Sequence, residues 1–359
     1  MSELKEPSKF SQFLKRKNIE FSAKRYGIDA LGAMALGLFS SLFIGTIMKT
    51  LGQLSGIEIL VEIGNYAAAG TGAAMAVAIG WALKSPPFVL FSMVAVGGAA
   101  NSLGGAGGPL AVLVIACIAA ECGKVVSKET RIDLIVTPFV TITVGVLCAM
   151  WLAPPIGAFA SATGQLIMWA TEQQPFIMGI LVSTIVGIAL TLPISSAAIC
   201  AALGLVGLAG GAAVAGCCAQ MVGFAVMSFP ENKWGGLAAQ GIGTSMLQVP
   251  NIVKNPKVWI PPTLAGMITG PLATVFFKMQ MNGAPVASGM GTCGLVGQIG
   301  VYTGWINDIN AGTKAGITGM DWLGLVLICF ILPAVLTWIF AIPLRKNGWI
   351  KPGDLTLDL

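Results

Sequence analysis

One stretch of the sequence, from Phe229 to Pro262, gathers side chains that are able to bind a polar solute. Its polar members include Glu231, Asn232, Lys233, Gln240, Thr244, Ser245, Gln248, Asn251, Lys254, Asn255 and Lys257. Most of the remaining chain is apolar, and the hydrocarbon core of a membrane penalises every polar group without a partner. The stretch is therefore either a substrate site that lines an aqueous cavity or an elaborate cytoplasmic loop.

The neutral amides of this stretch indicate which kind of ligand it would bind. Asparagine and glutamine side chains both donate and accept hydrogen bonds, which suits a polyhydroxylated ligand better than a bare ion. Glu231 follows an apolar run, and its carboxylate is either a hydroxyl-binding group or an exposed turn residue. The predicted substrate-binding residues are Glu231, Asn232, Gln240, Thr244, Gln248 and Asn251, together with Asn101 and Gln298 from two other broken regions.

The composition is that of a membrane protein. The 359 residues are 55% hydrophobic and 10% charged, whereas soluble domains carry about 25% charged residues. Several apolar runs approach the ~20 residues that cross a bilayer, so the predicted fold class is an all-α polytopic membrane protein. The formal charge of +5 does not indicate nucleic-acid binding, because the basic residues are not gathered on a soluble face.

Seven basic residues precede the first apolar run and set the expected orientation of the chain. They are Lys5, Lys9, Lys15, Arg16, Lys17, Lys24 and Arg25. Cytoplasmic segments are enriched in lysine and arginine, so a cytoplasmic N-terminus is expected. Phe10, Phe13, Leu14 and Phe21 recur among these cations at roughly helical spacing, which indicates either an amphipathic helix on the inner membrane surface or a solvated basic tail.

About ten apolar segments are predicted to cross the membrane. Eight are clear: Ile28–Leu51, Tyr66–Lys84, Pro109–Val126, Asp133–Ala153, Pro175–Pro193, Gly211–Phe229, Ile260–Met279 and Trp322–Leu344. Phe88–Asn101 and Ser195–Leu208 are weaker, because about 14 residues are short for a full crossing. Ten crossings place both termini in the cytoplasm, and an external interfacial helix is expected at Ile156–Gln173. The expected domains are a basic amphipathic segment at 1–26, a transmembrane domain at 27–346 and a cytoplasmic tail at 347–359.

Three regions are expected to form re-entrant hairpins or broken helices. Gly235–Trp259 is too polar for a crossing, and Gly283–Gly304 is apolar but interrupted by glycine throughout. Asn101–Pro109, with the sequence NSLGGAGGP, is expected to break a helix. Transporters use the free backbone groups at such breaks to bind substrates and ions, which supports Asn101 and Gln298 as candidate residues.

The titratable side chains outside the polar stretch indicate structure rather than catalysis. All eight cysteines have apolar neighbours, and the sequence contains neither a CxxC pair nor a histidine. The cysteines are expected to pack as small hydrophobic side chains, and no metal and no cofactor is expected. Glu121 and Lys124 are expected to form an i,i+3 ion pair at the cytoplasmic end of a helix.

A resemblance to a known family is carried by two strings, PENKWGGLAAQGIGTSMLQVPNIVKNPKVWIPP at 230–262 and NGAPVASGMGTCGLVGQIG at 282–300. From about Tyr26 to Lys346, the chain resembles the membrane subunit of the bacterial sugar phosphotransferase system, the enzyme IIC type. It is most similar to the compact stand-alone branch that includes the perfringolysin O regulator-like membrane proteins. The Gly-Ile-Thr-Glu-Pro sugar-binding motif of glucose-type members is not found, and Pro230-Glu231 is only a loose analogue.

The resemblance implies a homodimer of roughly ten-helix protomers with re-entrant hairpins around a sugar site. It also implies a separate cytoplasmic IIB protein, which phosphorylates the sugar as it is delivered. The predicted function is a sugar permease in the bacterial plasma membrane, which works by alternating access around the Glu231–Asn255 region. Two alternatives stay open: a membrane sensor that binds a ligand without transporting it, and a transporter of another small polar solute without coupled phosphorylation.

Overall fold

The computed structural model describes residues 9–357, and this part of the chain is built from α-helices. The helices of the first half are α1 (Lys9–Arg16), α2 (Leu31–Leu38), α3 (Ile44–Ser55), α4 (Glu58–Ala69), α5 (Thr71–Ala82), α6 (Pro87–Gly104), α7 (Gly108–Val126) and α8 (Asp133–Thr171). Those of the second half are α9 (Pro175–Thr191), α10 (Ser196–Ala202), α11 (Gly207–Met227), α12 (Phe229–Ala238), α13 (Val249–Lys254), α14 (Ile260–Pro271), α15 (Val296–Asn310), α16 (Gly319–Val326) and α17 (Leu332–Lys346). Within the described residues, the β pairing amounts to an isolated bridge between Gly207 and Met281. The predicted all-α polytopic membrane fold is confirmed.

Short π and 3-10 turns join several of these helices into longer runs. The π turns are Arg25–Ala30, Phe39–Phe43, Ala239–Gly243, Leu272–Phe276 and Leu327–Ile331. The 3-10 turns are Gly105–Gly107, Ser245–Gln248, Pro256–Trp259, Pro285–Gly289 and Cys293–Leu295. Such turns interrupt the regular helical hydrogen-bond ladder, and π turns are frequent at functional sites. Several of them lie beside the cavities described below.

The N-terminal half is built from hairpins that pack through small residues. Helices α3 and α4 are antiparallel, and a Cβ on Gly64 would lie 2.5 Å from the carbonyl oxygen of Gly45. Helices α6 and α7 form a second hairpin, which reverses at Gly105 with a φ of +51° that favours glycine. The two ends of this hairpin meet, since a Cβ on Gly123 would lie 2.9 Å from Val89. The predicted break within Asn101–Pro109 is therefore present.

The C-terminal half is centred on α11, which is buried along almost its whole length. A Cβ on Gly216 of this helix would overlap the carbonyl oxygen of Ser183 on α9. Ser183 Oγ in turn donates a hydrogen bond to the carbonyl oxygen of Gly266 on α14, at 2.8 Å. Small residues let membrane helices approach closely, and here α9, α11 and α14 meet through backbone atoms.

Six helical runs in the described part of the chain are long and apolar enough to cross a membrane. They are Arg25–Gln53, Pro87–Val126, Asp133–Thr171, Gly207–Met227, Pro256–Phe276 and Gly319–Lys346. Two shorter apolar helices, Thr71–Ala82 and Pro175–Thr191, lie beside them. The run Pro87–Val126 reverses at Gly105 and therefore passes through the molecule twice.

Two of the helical segments predicted from the sequence differ from those in the structure. The predicted crossing at Ser195–Leu208 is wrong, because the range holds the seven-residue α10 and then only the first two residues of α11. Gly204 adopts a φ of +60° just after it, which ends the helix. The helix expected at Ile156–Gln173 is the last part of α8, whose 39 residues continue through Pro154 and Pro155.

Other side chains with a predicted structural role behave as expected. Five of the eight cysteines are buried and the other three are partly buried, all of them free thiols. Glu121 and Lys124 form the predicted i,i+3 ion pair, with 2.7 Å between Lys124 Nζ and Glu121 Oε2. These groups stabilise the helix packing.

The two described ends of the chain lie on the same face of the molecule, which we call the terminal face. Lys24 near one end and Thr356 near the other line a common cavity. Arg345 Nη2 donates to the carbonyl oxygen of Met227, which places the last turn of α11 on this face as well. Gly207, where α11 begins, lies on the opposite face. The cytoplasmic location of the terminal face stays a prediction from the basic residues; Lys5 lies outside the described residues.

Candidate functional site

The polar stretch folds back on itself as a hairpin that starts from the terminal face. Helix α12 follows α11 and is kinked at Lys233, which has a φ of +51°. The chain then runs back beside α11, where a Cβ on Gly241 would lie 3.6 Å from Ala225. It reverses at Thr244 and continues through a 3-10 turn into α13. We call residues 229–259 the polar hairpin.

Three side-chain amides join the two arms of the polar hairpin. Gln248 Nε2 donates to Gln240 Oε1 at 2.9 Å, and Asn251 Nδ2 donates to Gln248 Oε1 at 2.8 Å. Gln240 Nε2 also donates to Ser228 Oγ and to the carbonyl oxygen of Gly236, at 2.8 and 2.9 Å. Both glutamines are fully buried, and each finds the partners that buried amides require. We call Gln240, Gln248 and Asn251 the amide ladder.

The amide ladder binds the C-terminal tail, residues 347–357. Gln248 Nε2 donates to the carbonyl oxygen of Leu355 at 3.1 Å. Asn251 Nδ2 donates to the carbonyl oxygen of Thr356 at 2.9 Å. The backbone carbonyl groups of the tail thus accept hydrogen bonds from two amides that the sequence predicts to bind a solute.

Two asparagines outside the ladder hold the same tail. Asn232 Nδ2 donates to the carbonyl oxygen of Leu355 at 2.7 Å, and Asn232 Oδ1 accepts from the N–H of Leu357 at 2.8 Å. Asn255 Nδ2 donates to Asp354 Oδ2 at 2.8 Å. Leu355 is fully buried. Sequence reasoning missed this interface, although the alternation of leucine with polar residues in the tail was a signal that one of its faces is buried.

Glu231 and Thr244 also have partners within the chain. Glu231 Oε1 lies 3.3 Å from Arg345 Nη1, and only 9% of the Glu231 side chain is exposed. Thr244 Oγ1 accepts a hydrogen bond from the N–H of Met246 at 3.1 Å and so caps the turn at the hairpin tip. In this conformation both groups stabilise the polar hairpin.

Asn101 and Gln298 lie away from the polar hairpin. Asn101 is on the last turn of α6, and its amide has no hydrogen-bond partner within the described part of the chain. Gln298 is on α15, where its Nε2 lies 3.2 Å from Cys218 Sγ and its buried Oε1 has no partner among the described residues. The structure therefore brings six of the eight predicted residues together and places these two elsewhere.

A cavity of about 510 Å³ opens beside the C-terminal tail on the terminal face, and we call it the tail cavity. Its polar lining residues are Lys24, Asp29, Asn251, Lys254 and Thr356, and Trp81 adds an aromatic side chain. Small-molecule sites commonly have volumes of about 300–1,000 Å³. Hydrogen-bonding groups next to an aromatic face suit a ligand with both polar and apolar surfaces.

A second cavity, of about 230 Å³, lies where several helices break, and we call it the turn cavity. Thr71 at the start of α5 and Ser195 before α10 line it, together with Gly105 at the α6–α7 reversal. Asn101 lines the same cavity with its unpaired amide. Broken helices expose backbone groups that bind solutes in transporters, so this cavity combines two kinds of polar partner.

Helix α2 and the π turn that follows it contribute side chains to both cavities. Leu36 lines the tail cavity, whereas Leu38 and Leu42 line the turn cavity. On the same stretch, the ring of Phe39 packs so closely against Gly243 that a Cβ there would overlap it. The tip of the polar hairpin therefore contacts the stretch of chain, α2 and its π turn, that contributes side chains to both cavities.

A comparison with protein families gives a match over nearly the whole chain. The family model described as "Phosphotransferase system, EIIC" matches residues 28–357. Comparisons with curated proteins and with solved structures gave no match. The matched range includes the turn cavity, the tail cavity except for Lys24, the polar hairpin, the C-terminal tail and all eight predicted site residues.

Proposed function

Because the chain belongs to the phosphotransferase system EIIC family, we propose that it carries a sugar or a similarly hydroxylated solute by alternating access. The family makes the protein a multi-pass permease of the plasma membrane, with a sugar substrate and a cytoplasmic IIB partner in general. The solute has a binding site in one cavity, a path through a second cavity, and a gate between them that the polar hairpin forms. It also includes the homodimer that the resemblance implies, which the mass of the purified protein in detergent would test.

The observation that supports this proposal is the contact of the hairpin tip, at Gly243, with Phe39 on the stretch of chain that lines both cavities. The solute binds first in the turn cavity, where Asn101 offers an unpaired amide and the broken helices offer backbone groups. It passes to the tail cavity when the polar hairpin moves away from Phe39. From there it leaves on the terminal face, which we assign to the cytoplasm.

The remaining predicted residues act in the gate of this cycle. Asn232, Gln248 and Asn251 hold the C-terminal tail in the present conformation and become available to solute hydroxyls when the tail departs. Gln240, Thr244 and Glu231 keep the hairpin folded during this exchange. Gln298, whose Oε1 has no partner here, gains one in another conformation.

We expect the replacement of Asn101 by leucine to lower solute uptake about tenfold. Leucine has a similar size but cannot form hydrogen bonds, so a bound hydroxyl would lose its partner. A buried group left unpaired costs about 1–3 kcal/mol, and 1.4 kcal/mol corresponds to about tenfold in affinity. Uptake of labelled hexoses, hexitols and disaccharides into proteoliposomes measures the effect.

Asn65→Leu is the matched control for this prediction, because Asn65 is exposed on α4 and lines neither cavity. Equal uptake by both variants for every transported solute would contradict the proposed site. If the protein bound the solute without counterflow, it would be a membrane sensor rather than a permease. Counterflow in the absence of phosphoryl-donor proteins would show transport without coupled phosphorylation.

A further inference from the structure

We propose that a basic cavity at the end of α7 binds the phosphate group of an anionic phospholipid. The cavity has a volume of about 340 Å³ and lies outside the proposed transport path. Its charged lining residues are Arg16, Lys17, Lys84, Lys124, Lys128 and Glu129, so five cations surround a single carboxylate. A phosphate diester is the anion that a membrane surface supplies to such a site.

Two of these lysines form no side-chain ion pair within residues 9–357, although the backbone N–H of Lys128 donates to Asp133 Oδ1 at 2.7 Å. Lys84 follows the end of α5 and Lys128 follows the end of α7, and neither forms an ion pair. Both adopt left-handed backbone conformations, with φ values of +55° and +61°. Glycine adopts this conformation without strain, so these two lysines occupy positions where a side chain is unfavourable. A lysine at a helix end also complements the helix dipole, but this effect does not require both to line the same cavity.

The other three cations are held in place by the chain itself. Arg16 Nη2 lies 2.7 Å from Glu129 Oε1, and Lys17 contacts the same carboxylate. The hydrogen bond from Lys17 holds the pKa of Glu129 below its usual range, so this carboxylate stays ionised near neutral pH. Lys124 is paired with Glu121. The site therefore keeps an excess of positive charge in a fixed arrangement, which suits an anion.

A neighbouring apolar cavity favours a lipid over a soluble phosphate. It has a volume of about 520 Å³ and is lined by Phe13 and Leu14 of α1 and by Ile118, Cys122 and Val125 of α7. Helix α1 thus contributes its cations to one cavity and its apolar residues to the other, as interfacial amphipathic helices do. A phospholipid can place its phosphate in the basic cavity and an acyl chain in the apolar one, whereas a soluble phosphate compound occupies only the first.

The test measures lipid binding by the full chain purified in detergent. Dioleoylphosphatidylglycerol, dioleoylphosphatidylcholine and inorganic phosphate are each titrated, and the melting temperature and the lipid retained in native mass spectra are recorded. We expect the phosphatidylglycerol to raise the melting temperature and the other two probes to have little effect. In the double variant Lys84→Gln/Lys128→Gln, the concentration of phosphatidylglycerol needed for half the effect is expected to rise roughly tenfold or more.

The control is Lys346→Gln/Lys351→Gln, which removes two exposed lysines from the same face. We expect it to keep the phosphatidylglycerol effect, and both double variants to keep the melting temperature measured without lipid. If the phosphatidylglycerol effect were weakened equally in the control, the proposal would be overturned, because the lipid would then respond to the general positive charge of this face. If phosphatidylcholine raised the melting temperature as much as phosphatidylglycerol, the negative charge of the lipid would not matter and the proposal would be overturned. If inorganic phosphate raised the melting temperature at the same concentrations as phosphatidylglycerol, the site would bind soluble phosphate compounds, and the proposal of a lipid site would be overturned.

Discussion

Replacement of Lys124 by methionine is expected to lower the free energy of unfolding by about 3–5 kcal/mol, because it breaks a buried ion pair. Lys124 is 1% exposed, and its Nζ lies 2.7 Å from Glu121 Oε2. The same ammonium group donates to the carbonyl oxygens of Asn18 and Leu83, at 3.0 and 3.1 Å. Without it, the carboxylate of Glu121 keeps the hydroxyl of Tyr26, at 3.1 Å, as its one partner within residues 9–357. The melting temperature of the detergent-purified protein measures the loss.

Two further variants separate the ion pair from a general effect of charge. Lys124→Met/Glu121→Leu removes both charges, and we expect it to recover most of the stability, since a buried pair replaced by apolar residues is often neutral. Lys346→Met removes an exposed lysine and should leave the melting temperature unchanged. A Lys124→Met protein as stable as the wild type would show that the pair does not hold the N-terminal segment to α5 and α7.

Replacement of Gln248 by leucine is expected to release the C-terminal tail. Leucine removes the donor to Leu355 and both bonds within the amide ladder, which leaves Gln240 Oε1 without its donor, whereas Asn251 Nδ2 keeps the carbonyl oxygen of Thr356. Each buried group left unpaired costs about 1–3 kcal/mol. We therefore expect amide hydrogen exchange in residues 354–357 to accelerate at least tenfold, because 1.4 kcal/mol corresponds to about tenfold in an opening equilibrium.

Gln174→Leu makes the same chemical change at an exposed position before α9 and serves as the control. Its tail should exchange at the wild-type rate. If exchange in the tail of Gln248→Leu were also unchanged, the amide ladder would not be what holds the tail. Exchange that accelerated equally throughout α11 would instead indicate global loss of stability rather than release of the tail.

Local patterns in the sequence predicted the helical class and most of the breaks for clear physical reasons. The low charge and the apolar runs require a helical membrane protein, because helices satisfy their own backbone hydrogen bonds. The glycines of Asn101–Pro109 predicted a reversal, and Gly105 provides it with a positive φ. The i,i+3 spacing of Glu121 and Lys124 predicted their pair because neighbours at that spacing lie on one helix face.

Contacts between distant residues are what the sequence did not reveal. The π turn at Phe39–Phe43 contains neither glycine nor proline, and it borders the turn cavity. The bond between Gln248 and Leu355 spans 107 positions, and no local pattern pairs the two residues. The sequence could thus predict that the amides need partners, but not that the chain itself provides them. The separation of Asn101 and Asn251 into two different cavities likewise depends on how α2 packs, because α2 contributes side chains to both.

The backbone contacts of α9, α11 and α14 limit how this molecule can move. Side chains usually form a deformable layer on which packed helices shift, but Gly216 and Ser183 leave no such layer between α9 and α11. A helix that touches its neighbour through backbone atoms cannot rotate or slide without separating from it. We therefore expect these three helices to be the fixed frame of the protein, and the parts that move in the proposed transport cycle to be the ones attached to it by side chains.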